Sequence, residues 1–261
     1  FKGFPGASPR MAAMAPLASE WLMYMTNPWE LPLIFWLGAV ALKEILFQPL
    51  LFAVRWISER VEPLPSRKGP KPIKQRPLDW KDYTYLSCNA VIETVFISHL
   101  LRRMWFSPFV GRHPGELGLL NGPVALGLLI IFNDMFYAPA HRALHWPVLY
   151  RWIHKHHHRV LYPERADVDA RNEHPLEQII AMVLWWMAML LVTSLVGMHA
   201  GMILAHLLVM VACASFNHTS CDLKLKFLGI NFEVRVHEMH HRRPDKNFGQ
   251  LIMLFDHLMG T

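Results

Sequence analysis

Apolar residues in this chain gather into long uninterrupted blocks, and polar residues into the stretches between them. Blocks at 31–56, 83–101, 124–140, 176–197 and 201–216 read as helices able to cross a bilayer. The first is interrupted by Lys43 and Glu44. These two must face protein, pair, or sit near an interface, because an unpaired charge in hydrocarbon is costly. The stretch 58–81 is rich in Pro and in cations (Arg60, Arg67, Lys68, Lys71, Lys74, Arg76) and reads as a polar linker. The pattern predicts an all-α, multi-pass membrane helical bundle of four to five crossings with a helical, histidine-rich cap. It divides into an N-terminal segment, 1–30, and a single domain, 31–261.

If each block crosses once, positions 141, 176 and 218 emerge on one face. The same parity places the basic linker there and leaves Arg102, Arg103 and Arg112 on the other side. Positive-inside bias makes the first face cytoplasmic or matrix-like. The formal net charge of +6 is then a matter of topology and of contact with anionic headgroups. Nucleic-acid binding is not indicated, because no basic face is interleaved with stacking aromatics. A hydrophobic fraction of 53% and ten Trp fit a membrane protein better than a soluble domain. The three cysteines, Cys88, Cys213 and Cys221, show no metal-ligand spacing, and Cys88 and Cys213 read as packing residues. Residues 1–30 read either as the remnant of an organellar targeting segment or merely as where the sequence starts. Trp21, Tyr24 and Trp29 look interfacial within it.

Histidine spacing changes the picture most. HRALH places His141 and His145 four apart, HKHHH places His154, His157 and His158 three and four apart, and HEMHH repeats that spacing with His237, His240 and His241. On a helix such positions share a face, and a pair of imidazoles at i, i+4 is a common grip on a transition metal. Eight imidazoles exceed what one tetrahedral ion needs, so two metals are expected. Imidazole suits iron, zinc, copper and nickel, so ligand type alone does not name the ion. His218, which ends an apolar block on the same face, is a ninth candidate; His156 falls between ligand positions and points elsewhere. Asp134 lies seven residues before His141, close to two turns. It either accepts the second ring proton of His141 or is a buried acid paired elsewhere. His174 precedes Pro175 in HPLE, where Pro fits the first turn of a helix. His199 belongs to a turn, and His206 reads as a hydrogen-bonded intramembrane histidine. A solvated basic tract does not explain why the spacing recurs three times. HEMHH also satisfies the His-Glu-x-x-His zinc protease pattern with Glu238 as general base, but that reading leaves His141 to His158 without a role.

HRALH, HKHHH and HEMHH, together with HPLE, FNHT, the approach NDMFYAPAHR with Asp134 and Tyr137, and the ending NFGQLIMLFDHLMGT, resemble the fatty acid hydroxylase/sterol desaturase family of integral-membrane di-iron proteins. The likeness covers Asp134 to Thr261; the first hundred residues match only in hydropathy. It implies that His141, His145, His154, His157, His158, His218, His237, His240 and His241 ligate two Fe ions, with Zn as a substitute in a purified sample. Asp134, His174 and Glu238 are then candidates for the shell behind those ligands, His174 alternatively for a structural role. The implied reaction hydroxylates, desaturates or oxidatively cleaves a membrane lipid, using O2 and electrons from an outside carrier such as cytochrome b5 or ferredoxin. The implied location is the ER membrane or an organellar (mitochondrial or plastid) inner membrane. A catalytically silent subunit of a larger membrane complex with the same fold is the alternative from a different class.

Overall fold

The computed structural model describes residues 33–68, 75–227 and 230–261. The readings placed on 1–30, and on Lys71 and Lys74, lie outside the described residues. Five long helices form the bundle: α1 (Leu33–Ser58), α2 (Trp80–Phe106), α3 (Leu120–Leu144), α5 (Pro175–Val196) and α6 (Ala200–Asn217). Between α3 and α5 lies the short α4 (Pro147–Trp152), and after α6 come α7 (Val234–Arg242) and α8 (Leu254–Met259).

Local chemistry sets these boundaries. The Asp79 side chain accepts from the Asp82 backbone N–H, and the Asp82 carboxylate accepts from that of Asp79, a reciprocal cap that starts α2. His174 Nδ1 accepts from Leu176 N–H to start α5, with Pro175 in the first helical position. His199 caps α6 in the same manner through Gly201 N–H. In α1 a π-helical turn spans Lys43–Phe47. Lys43 Nζ there donates to Ala90 O and Thr94 Oγ1 at 3.2 Å each and pairs with Glu93 at 3.4 Å. The intramembrane charge is therefore paired against α2.

The helices alternate in direction and share one end. At the far end, Phe35 of α1 meets Phe106 of α2, and β1 (Val110–Gly111) pairs in parallel with β2 (Met198–His199) just before α6. Gly197, which closes α5, adopts φ 72°, a left-handed conformation that a side chain would strain. At the cap end, Arg55 of α1 pairs with Asp167, Asp82 of α2 reaches His156 and Asn172, and α3, α5 and α6 bring in His141, Glu177 and His218. Four of these helices are long and apolar enough to cross a membrane. The fifth, α2, is less apolar, with Asn89, Glu93 and His99 along its middle, yet its 27 residues run the full length of the bundle. Leu100, Leu129, Met189, Val192 and Ile203 fill the centre, where Trp185 Nε1 donates to His206 Nδ1 at 2.9 Å.

Helix α3 continues past its apolar block through His141 to Leu144, as the i, i+4 spacing of HRALH predicts. Two expectations need adjustment. The cap is not purely helical: β3 (Lys224–Phe227) and β4 (Ile230–Glu233) form an antiparallel hairpin ahead of α7. Cys88 is exposed and not a packing residue, because its apolar block shows that side to the surroundings.

Candidate metal centre

The cap gathers nine imidazoles into two groups. His141, His145, His154, His158 and His240 form one, and His157, His218, His237 and His241 the other; within each, the candidate ligand atoms lie within 4.8 Å of one another. These are the nine positions named from the sequence, but they are sorted differently from the motifs. Residues His154–Arg159 form a 3-10 turn, in which positions three apart stack instead of sharing an α-helical face. The His154 and His157 rings accordingly stack at 5.6 Å, and His154 and His158 enter the first group while His157 enters the second. On α7, His237 and His241 are four apart and enter the second group, and His240 turns into the first. The groups share a wall, with the His158 and His241 rings 4.7 Å apart.

Within each group it is the Nε2 atoms that converge. In the first, His141–His154 is 3.0 Å, His154–His158 2.9 Å and His145–His240 3.2 Å. In the second, His218 Nε2 lies 3.3 Å from His157, 3.2 Å from His237 and 3.3 Å from His241. Ligands about 2.1 Å from a common ion stand about 3.0–3.4 Å apart.

The opposite ring nitrogens decide the protonation. Nδ1 of His141 meets Phe248 O at 2.8 Å, that of His240 meets Lys246 O at 2.7 Å, and that of His218 meets Ala214 O at 2.7 Å. A carbonyl only accepts, so each of these Nδ1 atoms carries the proton and its Nε2 is bare. His154 Nδ1 donates likewise to Glu177 Oε1 at 2.6 Å. His141 and His154 therefore present two lone pairs to each other, which repel unless a cation lies between them. With the Glu177 carboxylate ionised, a cation held between the two Nε2 atoms satisfies both.

Burial keeps the rings uncharged. Desolvation pushes His154 down to about 3 and His240 to about 4, and it holds His157, His237 and His241 well below the usual histidine range. Seven of the nine rings are buried; His145 and His237 are half-buried and mark the two openings. Beside His237 lies a shallow depression lined by Asn217, Phe232, Val236, Gly249 and Leu251 among others.

None of the three candidates for the outer shell bonds a ligand imidazole directly; Asp134 takes the alternative of a buried acid paired elsewhere. Asp134 does not bond His141. Its carboxylate accepts the backbone N–H of Gln250 (3.1 Å), Leu251 (3.2 Å) and Ile252 (2.7 Å), because the C-terminal segment folds back between the two residues. Asp256 similarly accepts from Phe248 and Gly249 N–H at 2.7 Å each. The two acids thus hold the segment whose Phe248 carbonyl fixes His141, so Asp134 acts on that ligand through the backbone. His174 caps α5, packs its ring against Tyr85 and joins neither group. Glu238 accepts from Ser66 Oγ at 2.6 Å and pairs with Arg242, so it is engaged by the linker and not by the histidines. A protease base has to face the metal, and this one does not. His156 bonds Asn172 Oδ1 and lies near Asp82, outside both groups. The residue that sequence reasoning missed is Glu177. Its signal was an acid in the first turn of α5, within HPLE.

The fatty acid hydroxylase family matches residues 126–261, slightly more than half of the chain. Fatty acid hydroxylase domain-containing protein 2 of Macaca fascicularis is 24% identical over 249 residues, which is 93% of this chain and 68% of that protein. The Homo sapiens protein of the same name is 23% identical with the same coverage. A Dictyostelium discoideum protein named as a methylsterol monooxygenase is 35% identical over 112 residues, 39% of each chain. No solved structure matches this chain.

Proposed function

Because the chain belongs to the fatty acid hydroxylase family, we propose that it is an integral-membrane oxidoreductase that hydroxylates or desaturates a C–H bond of a lipid, fatty acyl or sterol-like. In this reading His141, His145, His154, His158 and His240 hold one iron ion, and His157, His218, His237 and His241 hold the other. Bound there, the pair of irons supplies the redox chemistry that activates dioxygen, which no side chain can perform. The observation that carries the reading is the convergence of Nε2 atoms whose opposite nitrogens are already committed to carbonyls and to Glu177.

The chain's own residues do the rest. The Phe248, Lys246 and Ala214 carbonyls and the Glu177 carboxylate fix ring orientation and tautomer. Neutral donors leave the positive charge of each ion uncompensated, and burial of seven ligands keeps water away from a reactive oxidant. Hydroxylation consumes one C–H bond, one O2, two electrons and two protons, and yields the alcohol and water. Desaturation uses the same reductant, removes two hydrogens and yields two waters. The electrons come from a separate carrier such as cytochrome b5 or ferredoxin. Arg55, Arg67, Arg76 and Arg159 stand at the cap end while Arg112 stands at the other, which supports a cytoplasmic or matrix-facing cap in the ER or an organellar inner membrane. The name of the Dictyostelium relative supports a sterol-like substrate as one option.

The test compares lipids of cells with and without the protein, and with His157→Ala. The expected result is one lipid gaining an oxygen or losing two hydrogens in an O2-dependent manner, and reverting with His157→Ala. Identical lipids in all three would favour a structural subunit.

A further inference from the structure

Large aromatic side chains are left uncovered at both ends of the bundle. On α2, Trp80 is 77% exposed and Trp105 is 64% exposed. Twenty-five residues separate them, about 38 Å along a helix. That matches a hydrocarbon core of about 30 Å with part of each headgroup layer. Trp and Tyr favour those two levels, so α2 alone marks where the bilayer begins and ends. The cap-side level also carries Trp56 near the end of α1 and Trp146 just beyond α3. The segment that follows α4 returns to the same end of α2, where His156 touches Asp82, two residues beyond Trp80.

Helix α4 lies within this level. Its outer side shows Val148 (72% exposed) and Trp152 (68% exposed), four residues apart, with the Arg151 guanidinium 5.0 Å from the Trp152 ring. Its inner side holds Tyr150, which stacks on His145 at 5.6 Å and 28° and stands 6.0 Å from His158. His145 is the half-buried ligand of the five-histidine group. One short helix therefore presents apolar bulk outward, a cation at headgroup height, and an aromatic ring against the metal ligands.

We propose that α4 lies in the plane of the lipid–water interface and that Tyr150 is the door through which a lipid chain passes from the bilayer to the five-histidine group. The occupant of the outer face is the bilayer, because its exposed side chains, Val148 and Trp152, are apolar and follow directly on Trp146, exposed at the cap-side end of α3. The doorway rests on the oxidation reading above; the placement of α4 does not.

The experiment uses the full chain in phosphatidylcholine vesicles, with Cys88→Ser and Cys213→Ala to remove background labelling. Bimane is attached at Val148→Cys or, as a control in the cap, at Lys226→Cys, whose side chain is exposed. Expected is at least threefold stronger quenching at 148 by a nitroxide high on the acyl chain than by aqueous iodide, with the order reversed at 226. Iodide quenching at 148 equal to that at 226 overturns the placement. Separately, Tyr150→Ala is expected to shift the KM for lipid at least threefold while the KM for the electron donor is unchanged; an unchanged lipid KM overturns the doorway. If the unaltered chain makes no oxidised lipid, the oxidation reading fails while the quenching result still decides where α4 lies.

Discussion

Replacing Asp134 by Asn tests how the C-terminal segment governs the metal centre. The Asp134 carboxylate is fully buried and accepts three backbone N–H groups, two on one oxygen and one on the other. An amide of the same shape must turn its NH2 toward one or two of those donors. Hydrogen bonds to a charged acceptor contribute about 1.5–3 kcal/mol each, so the loss is about 2–5 kcal/mol. It falls on the segment that carries Phe248 O, the partner of His141 Nδ1. Asp134 touches no imidazole, so the effect on metal has to pass through that carbonyl. Disturbing such a partner lowers metal affinity about 10–100-fold. The assay is metal bound per chain under competition with a chelator, with thermal unfolding in detergent measured alongside. The five-histidine group is expected to weaken and the four-histidine group to keep its ion. A folded Asp134→Asn variant with both affinities unchanged would refute the reasoning.

Glu177→Leu removes the acceptor of His154 Nδ1–H in a buried place and is expected to lower metal affinity about 10–100-fold; Glu177→Gln keeps an acceptor and should lose much less, as a titration of metal into each variant reads directly. His156→Ala is expected to retain both ions by elemental analysis, since His156 bonds Asn172 and lies outside both groups, whereas His157→Ala should lose the ion of the four-histidine group. In metal-free protein, the histidines whose values burial lowers stay neutral when folded and protonate near 6.5 when unfolded. The unfolded state then binds more protons, so stability is full above about pH 6.5 and falls as pH drops toward the folded values. Each such histidine contributes a slope of about 1.4 kcal/mol per pH unit, and a Tm flat between pH 7 and 5 would contradict the burial argument.

All nine positions that the cap brings together were legible in the sequence: eight because imidazoles three and four apart must project from nearby sides of any helix, and His218 because it ends an apolar block on the same face. Their division between two groups was not. It depends on His154–Arg159 forming a 3-10 turn, and on His240 and His241 standing about 100° apart on α7. The five helices were legible from apolar blocks, and even the charged α2 was found within a few residues of its ends. Its missing hydropathy is explained by partners such as Lys43 and Asn172, which lie far away in sequence. The role of Asp134 was out of reach for the same reason: its donors at 250–252 lie more than a hundred residues downstream, and no local period connects them. Glu177 left a clue in HPLE, but its partner His154 becomes visible only when α5 meets the cap. The hairpin β3–β4, four residues a side, is too short to signal itself against the helices around it.

The central claim is that nine imidazoles form two adjacent centres, and metal analysis of the purified chain tests it most directly. Mass-spectrometric counting combined with Mössbauer spectroscopy of protein grown on isotopically enriched iron is predicted to give two irons per chain, falling to one when His218 is replaced by Ala. One ion or none in the intact chain, or a count unchanged by that replacement, would contradict it.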